Sequence, residues 1–240
     1  MALPFFYLAA YNPGTFPETS EITLDEDNSR HIVQVLRMQP GEVLQLTDGK
    51  GSLLTALIVE DHKKKCRVKV QSLVTSPPRK KKVAIAISPL KNASRFEWFL
   101  EKAAEIGVSE IIPLQSERTE RQHLRPDRLH NILVSALLQS QQTWLPVLCP
   151  LTPFSGVLDN TRYDHRLIAH CGEDALPASP VASPANSTAS TLILIGPEGG
   201  FSAEEVASAL KNGFVPVTLG ENRLRTETAG VVAATLLCIG

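Results

Sequence analysis

Two short runs near the C-terminus hold the residue types best able to grip a small molecule. The first is Leu192-Ile-Leu-Ile-Gly-Pro-Glu-Gly-Gly-Phe-Ser-Ala-Glu-Glu205 and the second is Leu219-Gly-Glu-Asn-Arg-Leu-Arg-Thr-Glu-Thr-Ala229. In each, an apolar strand breaks into a glycine-rich loop that then opens a helix. Such a junction leaves backbone N–H groups unpaired and available to a ligand. Two of them in close succession read as two walls of one pocket at the carboxyl ends of neighbouring strands.

Ser202 and Glu205 have the spacing of a capping box, with Phe201 and Val206 at the positions of a hydrophobic staple. Asn212-Gly213 supplies a left-handed stop. Thr226 is expected as the N-cap of the second helix, with Glu227 in its positive first turn. Good caps are routine in α/β proteins and demand no function. Capping does not need Gly196-Pro-Glu-Gly-Gly200, however. Three glycines in five residues let a ligand approach the backbone and forgo the stability that side chains would add.

Other nucleotide and hydrolase chemistries are excluded by spacing. No Gly-Lys-Ser/Thr completes a phosphate loop, and no Gly-x-Gly-x-x-Gly follows a strand. Neither Gly-x-Ser-x-Gly nor His-Glu-x-x-His occurs.

Ile195-Gly-Pro-Glu-Gly-Gly-Phe-Ser202, followed by Leu219-Gly220 and Leu224-Arg-Thr-Glu-Thr-Ala229, resembles the paired signature of the RsmE family. Those SPOUT-superfamily enzymes use S-adenosylmethionine to make 3-methyluridine in 16S ribosomal RNA. Further matches run in order along the chain. They are His31 with Val35-Leu-Arg-Met38 and Pro40-Gly41, then Asp48-Gly49, then Phe96-Glu97 through Glu105-Ile-Gly-Val108, and Ser116-Glu-Arg118. There are two departures. Leu138-Gln-Ser-Gln-Gln142 stands where many members carry Glu-Gln-Ser and then an Arg. Glu221-Asn-Arg223 replaces something nearer Pro-Arg-Ile. No role of the missing acid or arginine is carried over.

The resemblance implies a PUA-like RNA-binding β-barrel over residues 1–75 and an α/β-knot methyltransferase domain over 76–240, with a parallel sheet and a trefoil knot. It implies S-adenosylmethionine held by His170, Leu194, Gly196, Pro197, Gly199, Leu219, Gly220, Leu224, Arg225 and Thr226, with no metal. It also implies 16S ribosomal RNA or the small subunit as partner, and a homodimer. A sulfonium methyl donor is already activated, so the protein mainly aligns an in-line transfer. Uridine N3 is a weak acid and needs a base, or a cation for the developing anion. Arg225, always charged and next to the second loop, is the expected cation. Glu198 is a candidate base, though amides of its own loop could equally satisfy it. Arg30, His31, Arg37 and Arg118 are the expected RNA contacts. Two alternatives stay open: a SPOUT enzyme acting on ribose 2′-oxygen or another base, and a non-catalytic RNA-binding protein.

The elements that must position these residues change character at Ser76-Pro-Pro78. Before it, Glu42–Thr47, Leu53–Val59 and Cys66–Val70 are short and β-like, with Lys63-Lys-Lys65 at a turn and one helical stretch at Asp25–Met38. After it, strands alternate with helices. Val83–Ile87, Arg166–His170, Leu192–Ile195 and Val215–Leu219 read as strands. Ser94 and Glu97 read as a capping box for a helix with Phe96, Phe99, Leu100, Ala103 and Ile106 on one stripe, stopped at Gly107. A second helix spans Pro126–Gln142, and 176–191 reads as a mobile loop. Helix Thr226–Ile239 is apolar nearly all round, more than one face of a monomer needs to bury.

Net charge is −1 over 240 residues, yet residues 76–130 carry 11 basic and 7 acidic groups, whereas 131–240 carry 5 and 9. The middle segment, with Arg79-Lys-Lys-Lys82 and Arg118, Arg121, Arg125 and Arg128, is the best electrostatic footprint for phosphates, although the lysine run also suits a solvated linker. The four cysteines form no Cys-x-x-Cys pair and read as buried thiols of a reducing compartment. The first residues lack the basic region of a signal peptide, and no apolar run reaches the roughly 20 residues of a bilayer span. A cytoplasmic protein is the expectation.

Overall fold

The computed structural model describes residues 3–9, 11, 20–120, 123–170, 176–177 and 188–239. The chain forms two compact units. One is Met1–Pro78 together with Leu137–Leu145, and the other is Arg79–Ala136 together with Pro146–Gly240. The segment 137–145 thus belongs with the first unit, beyond the single cut expected after residue 75. Backbone pairing, invisible to local periodicity, docks that segment. Gly51 N–H donates to Thr143 O and Leu145 N–H to Gly49 O, both at 2.8 Å. Gly51 has φ +99°, and a Cβ there would stand 2.6 Å from the Trp144 ring and 2.7 Å from Ser76 O. Only glycine fits that position.

The first unit holds β1 (Phe5–Tyr7), β2 (Glu21–Thr23), β3 (Val43–Thr47), β4 (Ser52–Glu60) and β5 (Arg67–Thr75). They lie in the order β1-β3-β4-β5-β2. β1 runs parallel to β3, and the remaining pairs are antiparallel. Lys63-Lys64-Lys65 lies in the β4–β5 turn, as expected. Along β4 alternate residues face one core, where Leu54, Ala56 and Ile58 meet Phe6, Ile22, Leu44, Leu46 and Val68. The helical stretch is α1 (Glu26–Arg30), capped by Asp25, followed by a π-helical turn His31–Val35. The turn seats Ile32, fully buried, in that core, and the chain leaves it through Arg37 at φ 55°.

The second unit is an α/β layer structure. Its strands are β6 (Lys82–Ile87), β7 (Glu110–Gln115), β8 (Val147–Leu148), β9 (Thr152–Pro153), β10 (His165–Ala169), β11 (Leu176–Pro177), β12 (Ser190–Ile195) and β13 (Val215–Thr218). The order is β11-β13-β10-β12-β6-β7-β8, with β9 also on β7, and every pair is parallel. The central strands β6 and β12 are buried almost end to end, as a parallel sheet covered on both faces requires.

Helices α2 (Ala93–Ile106), α3 (Pro126–Gln139), α4 (Phe154–Leu158), α5 (Ala203–Lys211) and α6 (Thr226–Cys238) are the further helices of the described residues. The capping box expected at Ser94 and Glu97 does not form. Asn92 is the N-cap and accepts from Ser94 N–H at 3.0 Å. Glu97 instead takes Arg128 Nε and Nη2 at 2.6 and 2.8 Å, a bidentate pair that ties α2 to α3. α3 also ends three residues before the expected Gln142. α6 packs on β6, β12 and α2. A Cβ on Gly230 would come within 2.6 Å of the Phe99 ring and 2.9 Å of Ile87. That close approach explains a glycine inside a helix, where it costs about 1 kcal/mol against alanine. The loop expected across 176–191 contains β11 and the first residues of β12, and its residues 178–187 lie outside the described set.

Candidate active site

Both glycine-rich loops leave the carboxyl edge of the parallel sheet, one after β12 and one after β13. Between them lies a cavity of about 910 Å³. Ala169 and His170, at the end of β10, form its floor. Residues 195–201 form one wall, residues 217–224 another, and Thr226 and Ala229 of α6 close it.

The first wall is held by a carboxylate. The Ser202–Glu205 capping box forms, with Ser202 N–H donating to Glu205 Oε2 at 2.9 Å. Glu205, 8% exposed, accepts on its other oxygen from Glu117 N–H at 2.8 Å. One carboxylate thereby joins the loop after β7 to the loop after β12. Beneath the β7 loop the hydroxyls of Ser88, Ser116 and Thr119 are buried and bond one another at 2.9–3.3 Å. That network fixes the turn from which Arg118 Nη1 donates to Gly199 O at 2.8 Å. Arg118 was expected on RNA. The structure places it, exposed, on the carbonyl of the first loop.

The second wall rests on Gly220 at φ +138°, with Thr218 Oγ1 donating to Gly220 O at 2.8 Å. Thr226 is not the N-cap. Arg225 holds that position and makes no side-chain capping bond. Thr226 is the first helical residue, and its hydroxyl donates across to Gly196 O at 3.1 Å. The two walls are thus tied together by Thr226, and again by Arg223 Nη2 donating to Glu198 O at 3.5 Å.

Of the expected site residues, His170, Gly196, Pro197, Glu198, Gly199, Leu219, Gly220, Leu224 and Thr226 line the cavity. Leu194 does not. It is fully buried among Ile168, Leu192 and Phe214, because the strand end is covered on both faces. Arg225 does not line the cavity either: it is the N-cap of α6 and its side chain is exposed. Reading the motifs alone missed Ala169 and Val217, strand-end residues that only strand order brings to the floor. It also missed Asn222 and Arg223, which lie inside the departure from the family pattern.

In the first unit Arg30 is paired with Glu26 at 2.8 Å and Asp27 at 3.9 Å, His31 packs edge-on against Phe6, and Arg37 is exposed. The described cysteines are free. Burial pushes the thiols of Cys66 and Cys238 up to about 11 and that of Cys149 to about 12, so none is a thiolate nucleophile near neutrality. Cys171 lies outside the described residues. Among the described residues no group of three or more His, Cys, Asp or Glu could hold a metal ion, and no helix is long and apolar enough to cross a membrane.

Residues 77–238 match the model of an RNA methyltransferase domain and residues 24–71 that of an RNA methyltransferase PUA domain. The chain is 30% identical over 230 residues to ribosomal RNA small subunit methyltransferase E of Buchnera aphidicola, covering 89% of this chain and 86% of the relative. Among solved structures it is similar to a probable rRNA-methyltransferase from Porphyromonas gingivalis, with TM-score 0.87, 40% identity and 98% of both chains covered. The ribosomal RNA small subunit methyltransferase E of Neisseria gonorrhoeae, solved with bound S-adenosylmethionine, gives TM-score 0.83 and 28% identity over 98% of this chain and 96% of that one.

Proposed function

Because the chain belongs to the ribosomal RNA small subunit methyltransferase E family, we propose that it methylates N3 of a single uridine in 16S ribosomal RNA. It is an S-adenosylmethionine-dependent ribosomal RNA methyltransferase with an N-terminal PUA-like domain. The choice of base and atom is the proposal. The observation that carries it is the cavity between the two glycine loops, in a chain that matches the family almost end to end.

The residues present fit the cofactor. Gly200 and Gly220 have positive φ and no atom within 4 Å of a Cβ position, so a flat ring can lie against bare backbone whose N–H and C=O groups read it. When bound, S-adenosylmethionine supplies an activated sulfonium methyl. The chain's own part is orientation. Glu205, Arg118 and Thr226 hold both loops before any ligand arrives, and such preorganisation lowers the cost of binding and aligns transfer. Arg225, exposed at the start of α6, is the cation for charge developing on the base or for an adjacent phosphate. Arg225→Lys is expected to slow transfer at least tenfold, about 1.4 kcal/mol. Weakened cofactor binding with unchanged turnover would reverse that assignment.

Arg30, His31, Arg37 and Arg118 remain the proposed RNA contacts, and the cytoplasm the proposed compartment. A trefoil knot formed by α6 and a homodimer complete the reading. Ile239 at 69% exposure and Trp98 of α2 at 44% support pairing, and sedimentation should give twice the chain mass. The deciding experiment digests small-subunit RNA after reaction and identifies the methylated nucleoside by mass spectrometry. 3-Methyluridine is expected, whereas a 2′-O-methyl or other base product would refute the proposal.

A further inference from the structure

The first turn of α6 bears a group that the cofactor cavity does not use. Thr226 and Ala229 line that cavity, while Glu227 turns toward α2. Its side chain is only 9% exposed, and Oε1 faces Arg95 Nε at 3.7 Å, beyond hydrogen-bond length. Oε2 is buried without a hydrogen-bond partner among the described residues. A helix N-terminus stabilises the carboxylate's charge, yet a buried oxygen with no protein partner is costly unless something else bonds it. Arg95 is 42% exposed and makes no other ion pair among the described residues.

We propose that Glu227 and Arg95 form the seat of the acceptor uracil, with Glu227 taking the N3 proton. This rests on the reading of the enzyme as a uridine-N3 methyltransferase. A carboxylate only accepts hydrogen bonds and a guanidinium only donates them. Side by side they complement the N3–H and one flanking carbonyl of uracil. Cytosine, whose N3 carries no hydrogen, would set a lone pair against the carboxylate and be rejected. The transfer balances. The N3 proton passes to Glu227, and the nitrogen pair forms a bond to the methyl carbon. The S–C bond breaks, and its electrons stay on sulfur as the neutral thioether of S-adenosylhomocysteine. Arg95 donates to the uracil carbonyl and, together with Arg225, offsets the negative charge that spreads onto it. Glu198 lines the cavity that takes the donor, whereas Glu227 lies on the first turn of α6 between Thr226 and Ala229, both of which line that cavity.

The test uses the full chain, S-adenosylmethionine and small subunits lacking the modification. Glu227→Gln keeps the shape and removes the base. Cofactor affinity, melting midpoint and sedimentation mass should match wild type, while the single-turnover rate at neutral pH falls at least about 100-fold. That rate should recover as pH rises toward the range where uridine N3 ionises unaided, a signature that a structural role does not produce. Arg95→Ala, at a half-exposed position, should be at least tenfold slower with unchanged cofactor affinity. A wild-type rate in either variant overturns the proposal. So does a rate loss matched by loss of cofactor affinity, stability or dimer mass. Mass spectrometry of the wild-type product separates the premise: a nucleoside other than 3-methyluridine refutes the reaction itself, whatever the variants do.

Discussion

Gly220→Val is expected to abolish measurable S-adenosylmethionine binding while most of the fold survives. Gly220 sits at φ +138° with no atom within 4 Å of its Cβ position, so the packed interior does not resist a side chain there. Two other effects do. The backbone conformation is one that L-residues rarely adopt, at a cost of about 1–3 kcal/mol, and the loop relieves that strain by moving. The isopropyl group also occupies the open space through which a ligand meets the backbone. Together these should weaken binding at least 100-fold, or about 2.8 kcal/mol. Calorimetry measures the affinity and urea titration the stability. An affinity within threefold of wild type would remove the second loop from the site. Gly199→Val is expected to abolish binding as well, because its Cβ would meet Arg118 Cδ at 3.3 Å and Arg118 Cβ at 3.8 Å, in the side chain that donates to Gly199 O.

Glu205→Ala should do the most damage to stability. The carboxylate accepts from Ser202 N–H within its own cap and from Glu117 N–H, 88 residues away in sequence. Removing it deprives two buried or half-buried amides at once. Hydrogen bonds to charged groups contribute about 1.5–3 kcal/mol each, so a loss of about 3–5 kcal/mol in unfolding free energy is expected. Cofactor affinity should fall with it, since the first loop loses its anchor to the β7 loop. Glu205→Gln should rescue little, because one amide N–H2 then faces a backbone N–H. Urea unfolding of the alanine variant within about 0.5 kcal/mol of wild type, the range of an ordinary surface change, would show that the bridge is idle.

Much of this site was legible in order along the chain. The capping box at Ser202, the staple of Phe201 and Val206 on the core, the left-handed Gly107 and Gly213 and the buried strand β6 all depend on neighbours within a few positions. Local spacing states such interactions directly. Where the local reading failed, a tertiary partner had outcompeted a cap. Glu97 left its expected box for Arg128, and Thr226 left the N-cap position to reach Gly196.

By itself the sequence determined the family, the two glycine loops, the change from β to α/β at Ser76–Pro78, and which strand faces are apolar. Composition and spacing within one element suffice for these. The tertiary structure alone decided which distant groups share the site. Arg118 went to Gly199 across 81 residues, Leu194 went into the core, Arg225 into solvent, and Glu227 beside Arg95. The physical reason is the parallel sheet. Each crossover returns the chain to the same edge from a different strand, so the groups meeting there are set by strand order, which no local period encodes.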